Sequence, residues 1–270
     1  MQVNRRQRLN ITGATVLLLL FGISLILSTG CGKNRDSWAR IQESGVLRVG
    51  VDPTFPPFAL AKGETVEGID IDLARALGES IGLDVQFSYF GYDGLYDALT
   101  TGQVDALISA LVIMPERTKD VAYSDAYFDA GQFLVAPATT GIGAMTDLRG
   151  RTLAVELGAL GHVAARDWES RIDGLEVQTH GSVEEALVAV ASGNADAALV
   201  DRVSGLLYIN DPANDATGLI LLEKPVVSEP YAIALRIDDG TLMKNINTSL
   251  DQLRKSGRLE TIISRGLGRK

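Results

Sequence analysis

The chain has 270 residues, 46% of them hydrophobic, and a formal net charge of −9. That length and apolar content are enough for a sizeable core and for two lobes of ordinary domain size, so this is a folded globular protein. The acidic balance argues against nucleic acid as a partner and against electrostatic docking on anionic lipid, because both surfaces are themselves negative.

At the N-terminus Arg5, Arg6 and Arg8 precede the apolar run ITGATVLLLLFGISLIL, and no acidic residue occurs before Asp36. Positive then apolar is the layout of an export signal, although the run is also near the length that would span a bilayer. Leu27, Ser28, Thr29, Gly30 and Cys31 resemble a bacterial lipobox, with serine where leucine is commonest. Cys31 is the one cysteine in the chain. It has no intramolecular disulfide partner, and its place at the end of the apolar run suits a lipidated residue. The expectation is a signal peptide over 1–30, a lipid-anchored Cys31, a tether over 31–44, and a body outside the cytoplasm, at the cell surface or in the periplasm. Without residues 1–30 the chain carries 22 basic and 34 acidic residues, a net charge of −12.

Val46 to Val51 (VLRVGV) then reads as a buried strand, and Ile69, Leu73, Leu77 and Ile81, recurring every four residues, predict a helix over 70–81. A strand near VQFSYF, a helix over 93–101 and a strand over 105–112 follow; Tyr92, Leu95 and Leu99 keep helical spacing up to Gly102, which suits a left-handed terminator. The apolar run from Ala106 to Met114 leads into Pro115, Glu116 and Arg117, so a guanidinium stands where a buried strand ends. Phe133 to Ala136 (FLVA) leaves this first unit. Thr152 to Val155 (TLAV) opens a second, with a strand at EVQTH, a helix over 183–192 and a strand over 196–200. Val183, Leu187 and Val190 lead to Gly193 as before, and Ser182 with Glu185 forms a capping box at the helix start. The two units echo each other: GLDVQ at 82–86 recurs as GLEVQ at 174–178, and ALTTGQVDALIS at 98–109 as AVASGNADAALV at 189–200. Tyr231 to Leu235 (YAIAL) precedes a C-terminal helix whose apolar stripe is Leu242, Ile246, Leu250 and Leu253.

This pattern predicts two α/β lobes with largely parallel sheets, lobe 1 from 45–134 plus 228–270 and lobe 2 from 135–227. If the last helix packs on lobe 1, the chain crosses between lobes twice, which makes a two-strand hinge beside a natural ligand cleft.

LRVGVDPTFPPF at 47–58, EGIDIDLARAL at 67–77, YDGLYDALTTGQVDALIS at 92–109, PERTKDVAYSDAY at 115–127 and ADAALVD at 195–201 together resemble the bacterial extracellular solute-binding proteins (family 3) that serve polar amino acid uptake. The resemblance implies a periplasmic-binding-protein-like fold of type II, a small amino acid as ligand, an ABC transporter permease as partner, a monomer, and neither a cofactor nor a metal nor catalytic residues. It places the ligand's α-carboxylate on Arg117, whose planar guanidinium offers paired donors, and its α-ammonium on Asp201. The alternative for Asp201 is a salt bridge with Arg202 or simple exposure. Phe55 and Tyr92 match the aromatics that sandwich the ligand side chain; with Pro53, Pro56 and Pro57 around it, Phe55 is expected in a loop. Asp52, Ser109, Ala110, Val112, Glu156, Gly158 and Leu160 complete the expected contacts.

The chain also departs from the family pattern. Ala110 and Val112 stand where small hydroxyl residues are common, so only backbone groups are left to serve the ligand there. Gly158, Ala159, Leu160 and Gly161 replace a glycine followed by Ser or Thr, and YSDAY at 123–127 lacks the proline often found before its last aromatic. If Asp52, Glu156 and Asp201 all face inward, a cationic ligand is favoured. Two other functions sit on the same fold, a ligand sensor for a receptor and a dehydratase-like enzyme. For the enzyme the sequence offers His162 and His180 in unrelated contexts, with no GxSxG, phosphate loop or Cys–His metal spacing.

Overall fold

Each of the two sequence echoes folds as a parallel strand–helix–strand unit in the computed structural model, which describes residues 37–268. The expected signal peptide and Cys31 lie outside the described residues.

Lobe 1 begins with α1 (Trp38–Ser44) and β1 (Val46–Val51), followed by a hairpin-like flap of β2 (Thr54–Phe55), β3 (Ala59–Lys62) and β4 (Thr65–Glu67). Then come α2 (Ile69–Ile81), β5 (Asp84–Tyr89), α3 (Tyr92–Thr100), β6 (Ala106–Val112), β7 (Val121–Tyr123) and β8 (Phe128–Asp129). Lobe 2 holds β9 (Gln132–Pro137), β10 (Thr152–Glu156), α4 (Leu160–Glu169), β11 (Glu176–His180), α5 (Val183–Ala191), β12 (Ala197–Asp201), α6 (Arg202–Asn210) and β13 (Leu219–Val227). The chain returns to lobe 1 as β14 (Pro230–Arg236), α7 (Gly240–Lys255) and α8 (Arg258–Gly266).

The lobe 1 sheet runs β5-β1-β6-β14-β7, with β8 also on β14, and the lobe 2 sheet runs β11-β10-β12-β9-β13. In each, the opening strand sits between its two parallel partners, and the next neighbour is an antiparallel strand adjoining the hinge, β14 or β9. The echoed sequences thus encode equivalent positions. Gly102 and Gly193 both stand at φ 76°, ending their helices in the left-handed conformation that glycine adopts without a Cβ clash. Ser182 Oγ accepts from the Glu185 N–H at 3.2 Å, while the Glu185 carboxylate reaches past it to accept from Gly181 N–H at 2.8 Å.

Leu242, Ile246, Leu250 and Leu253 on α7 are all buried in the lobe 1 core against α2. The C-terminal helix therefore does bring the chain back, and there are two crossings. The first is at Ala130–Gly131, ahead of the 134 boundary read from FLVA, because Phe133 to Ala136 belong to β9 and pair with lobe 2 strands, Phe133 to Val135 with β12 and Ala136 with β13. The expected tether also ends early. Residues 38–44 form α1, with Ile41 sealed in the lobe 1 core and Trp38 packed against it, and Gly45 at φ 68° closes the helix on Ile41 O.

Candidate ligand-binding cleft

Parallel strands of one sheet all end on one side, and the crevice beyond those carboxyl ends is where α/β folds bind ligands. Tyr231 lies on β14, the strand by which the chain returns to lobe 1. Burial pushes its phenol up to about 12, and the charges of Glu229, Asp201 and Asp70 add to that shift, so both lobes act on this one ring.

The floor on lobe 1 is a break in β6. Leu107 and Leu111 pair with Ala234 and Ala232, which leaves Ile108, Ser109 and Ala110 opposite the single residue Ile233. Ile233 is taken instead by Ser124, whose N–H donates to Ile233 O and whose hydroxyl accepts from Ile233 N–H. The bulged residues are thereby released from the sheet ladder, a device that re-aims side chains beside sites. Ser109 Oγ accepts from Asp52 N–H at 2.9 Å, which pins the end of β1 to the bulge. Ala110 stands at φ 47°, the one non-glycine residue at positive φ among the described residues. Its N–H, expected to serve the ligand, donates to the Tyr127 hydroxyl at 3.1 Å. Val112 is half-buried at the strand end.

Arg117 lies in the single turn Pro115–Arg117 and is exposed. Its guanidinium carbon sits 4.1 Å from the centre of the Tyr96 ring. No carboxylate pairs with it among the described residues, so its five N–H donors stay open while the stacked ring fixes its plane. Tyr96 is anchored in turn by a 3.2 Å hydrogen bond between its hydroxyl and that of Tyr123. One helical turn earlier is Tyr92, 46% exposed and within the field of Arg117, which offsets part of the rise that burial imposes on its phenol.

Phe55 is not in a loop. It forms β2, pairing with Ala59 of β3, because prolines at 53, 56 and 57 flank the two-residue strand rather than interrupt it. Its ring, 49% exposed, stacks on Phe58 with centroids 5.8 Å apart. Phe58 meets Tyr231 at 5.2 Å and Phe128 at 5.4 Å, so an aromatic wall runs from the flap to the hinge. Asp52 is buried, and its Oδ1 accepts from both the N–H and the hydroxyl of Thr54, which starts the flap.

On lobe 2, Asp201 ends β12 and caps α6, its Oδ1 accepting from Ser204 N–H at 2.9 Å. The ion pair with Arg202 does not form. Arg202 instead lies across the hinge, its guanidinium 4.8 Å from the Phe128 ring and 5.4 Å from that of Phe133. Glu156 ends β10, half-buried, its carboxylate without a hydrogen bond or ion pair among the described residues, and borders a groove of about 530 Å³ with Ser182, Glu184, Ser204 and Tyr208. Gly158 stands at φ 85°, and its N–H donates to His162 Nδ1 at 3.2 Å, so His162 holds the loop after β10. The α4 start at Leu160 has no side-chain cap, leaving backbone N–H groups exposed. Gly161 is required there, since a Cβ would fall 2.7 Å from both Gln132 Oε1 and Leu199 O.

Residue patterns alone do not single out Asp70, Tyr127, Tyr231 or Asp129. Asp129 ties the two crossings together: Oδ1 accepts from Gly131 and Glu229 N–H, and Oδ2 from the Ser228 hydroxyl. The one sequence signal for Asp70 was the acid pair of IDID opening α2.

The arginine-binding extracellular protein ArtP of Bacillus subtilis (strain 168) is 27% identical over 251 residues, covering 92% of this chain and 95% of that protein. The ABC transporter glutamine-binding protein GlnH of the same organism is 30% identical over 262 residues, covering 91% and 93%. A solved ancestral cationic amino acid solute binding protein is 31% identical with a TM-score of 0.59, covering 85% of this chain and 98% of that chain. Residues 47–268 match the family model itself, so the chain belongs to the bacterial extracellular solute-binding proteins, family 3.

Proposed function

We propose that this protein captures a small amino acid between its lobes, outside the cytoplasm, and delivers it to an ABC transporter permease. The observation that carries this reading is Arg117, stacked on Tyr96, without an acidic partner, and beside the exposed ring of Tyr92. A planar guanidinium with open donors suits a carboxylate. Asp201, on the opposite lobe with one oxygen outside its capping bond, suits an ammonium. Ser109, Ala110 and Val112 form the floor, Phe55 and Tyr92 flank the ligand side chain, and Gly158 and Leu160 offer lobe 2 backbone.

A cationic ligand is the favoured class. Asp201 and Glu156 end the neighbouring lobe 2 strands β12 and β10, the chain after residue 30 carries a net charge of −12, and two of the similar proteins named above bind arginine or cationic amino acids. The protein acts as a monomeric binder that performs no chemistry on its ligand, and Cys31 carries the lipid that keeps it at the membrane.

Calorimetry with L-arginine, L-glutamine and agmatine, the decarboxylated arginine, tests the reading. Arg117→Ala should weaken the two amino acids at least tenfold, about 1.4 kcal/mol, and affect agmatine much less. Equal losses for all three would remove Arg117 from carboxylate recognition, and no heat from any amino acid with the wild type would sink the function.

A further inference from the structure

Asp70 is the second residue of α2, fully buried, and none of the ligand contacts proposed above uses it. It is the junction of three pieces of the cleft. Its N–H donates to Phe58 O at 2.9 Å, holding the base of the flap that carries Phe55. Its Oδ1 accepts from the Tyr127 hydroxyl at 2.7 Å, and that hydroxyl oxygen accepts from Ala110 N–H. Tyr127 N–H donates to Tyr231 O, which laces the same tyrosine to the hinge strand. Asp70 Oδ2 has no hydrogen-bond partner among the described residues.

A buried carboxylate that is only half satisfied is poised between its two protonation states. Burial raises its pKa from 3.8 to about 7, and the hydrogen bond from Tyr127, with the Ala110 N–H close by, restrains the rise. The titratable groups facing it are Tyr127, ahead of β8, and Tyr231 on β14, both kept protonated above the usual phenol range by burial. β6 offers it the Ala110 backbone and the flap the Phe58 carbonyl. On its own helix Asp72 is turned toward Arg75 and Arg265. Among the described residues no cation pairs with it.

We propose that Asp70 is the positioning residue of the cleft floor and that binding of a cationic ligand is linked to its ionisation. As a carboxylate it only accepts, so the Tyr127 proton must point to it and the Tyr127 lone pair is left for Ala110 N–H. A protonated Asp70 needs an acceptor of its own. The hydroxyl oxygen within reach is that of Tyr127, so its proton competes with Ala110 and loosens the bulge. The negative charge also draws a cation toward the cleft, which favours the same state.

The test has an arm that needs no ligand. In the residue 32–270 protein, the Asp70 carboxyl carbon and the Ala110 amide nitrogen should titrate together by NMR, with a midpoint near 7. Asp70→Asn should abolish the Ala110 titration, and Tyr127→Phe should silence Ala110 while the carboxyl still titrates. An Ala110 amide that is flat in the wild type, or still titrates in Asp70→Asn, overturns the proposal; if Asp70→Asn does not fold, Tyr127→Phe decides it. The second arm rests on the reading of the cleft as an amino acid site and uses L-arginine. Its Kd should be about tenfold weaker at pH 6 than at pH 8 if only the ionised form binds. Asp70→Asn should bind weakly with a flat profile, and a pH dependence surviving that change would belong to another group. If arginine and glutamine bind at no pH while Ala110 titrates, the function is wrong and the positioning role stands.

Discussion

Two buried carboxylates of lobe 1 pull stability in opposite directions with pH. Asp105, fully buried, accepts from Arg48 through Nε at 3.0 Å, Nη2 at 2.7 Å and backbone N–H at 3.1 Å, and is also paired with Arg40 and Arg236. Burial works to raise its pKa, but these partners outweigh burial and hold it below 3.8. Its stabilisation is complete above the unfolded value and is lost as pH falls below about 3.9. Asp70 is the reverse case. Between about 4 and 7 the folded state binds a proton that the unfolded state has lost, so stability falls as pH rises through that window. Thermal unfolding of wild type should therefore rise from pH 3 to a maximum near pH 4 to 5 and decline toward pH 7. In Asp70→Asn the decline should flatten while the acid limb remains. A decline that is unchanged in the mutant would show that Asp70 does not carry it.

At the scale of elements, the hinge is the tightest junction. A Cβ on Gly131 would lie 1.9 Å from Val227 O and 2.8 Å from Glu229 N, so the two crossings touch backbone to backbone. Asp129 bonds both of them. Gly131→Ala must push the crossings apart, and overpacking of this kind typically costs about 1–3 kcal/mol. The expected result is a lower unfolding temperature together with a changed interlobe angle by small-angle scattering. If neither moves, the crossings are looser than their geometry implies. The bulge in β6 works at the same scale, since one mispaired stretch frees Ser109 and Ala110 from the ladder to bond Asp52 and Tyr127 while the flanking residues keep the sheet intact.

For the whole molecule, a ligand held by Arg117 on one lobe and Asp201 on the other gains its second set of contacts only when the lobes approach. It should therefore favour the closed form by its additional affinity for that form. Small-angle scattering of the residue 32–270 protein should show a smaller radius of gyration with saturating ligand, and an unchanged profile for a ligand confirmed by calorimetry would argue against closure. No described helix is long and apolar enough to cross a membrane. If Cys31 carries the lipid proposed above, Cys31→Ser should yield a released or unprocessed protein by membrane fractionation. Retention of a processed Cys31→Ser chain would refute lipid anchoring.

The residue pattern by itself determined the periodic parts of this protein. Four-residue apolar spacing in α2 and α7, the glycine terminators at 102 and 193, the Ser182 cap and the echoed strands are all properties of neighbouring residues, so they can be read along the chain. The family motifs carried Arg117, Asp201, Phe55 and Tyr92 as expectations for the same reason, being short and ordered. Only the tertiary structure decided how the buried polar groups are paired. Asp70 meets Tyr127 from 57 residues away, and Ser124 takes Ile233 from 109 away. Tyr127 also decides that Ala110 N–H is bonded. A buried polar group must find a partner wherever the fold supplies one, and no local period records where that partner comes from.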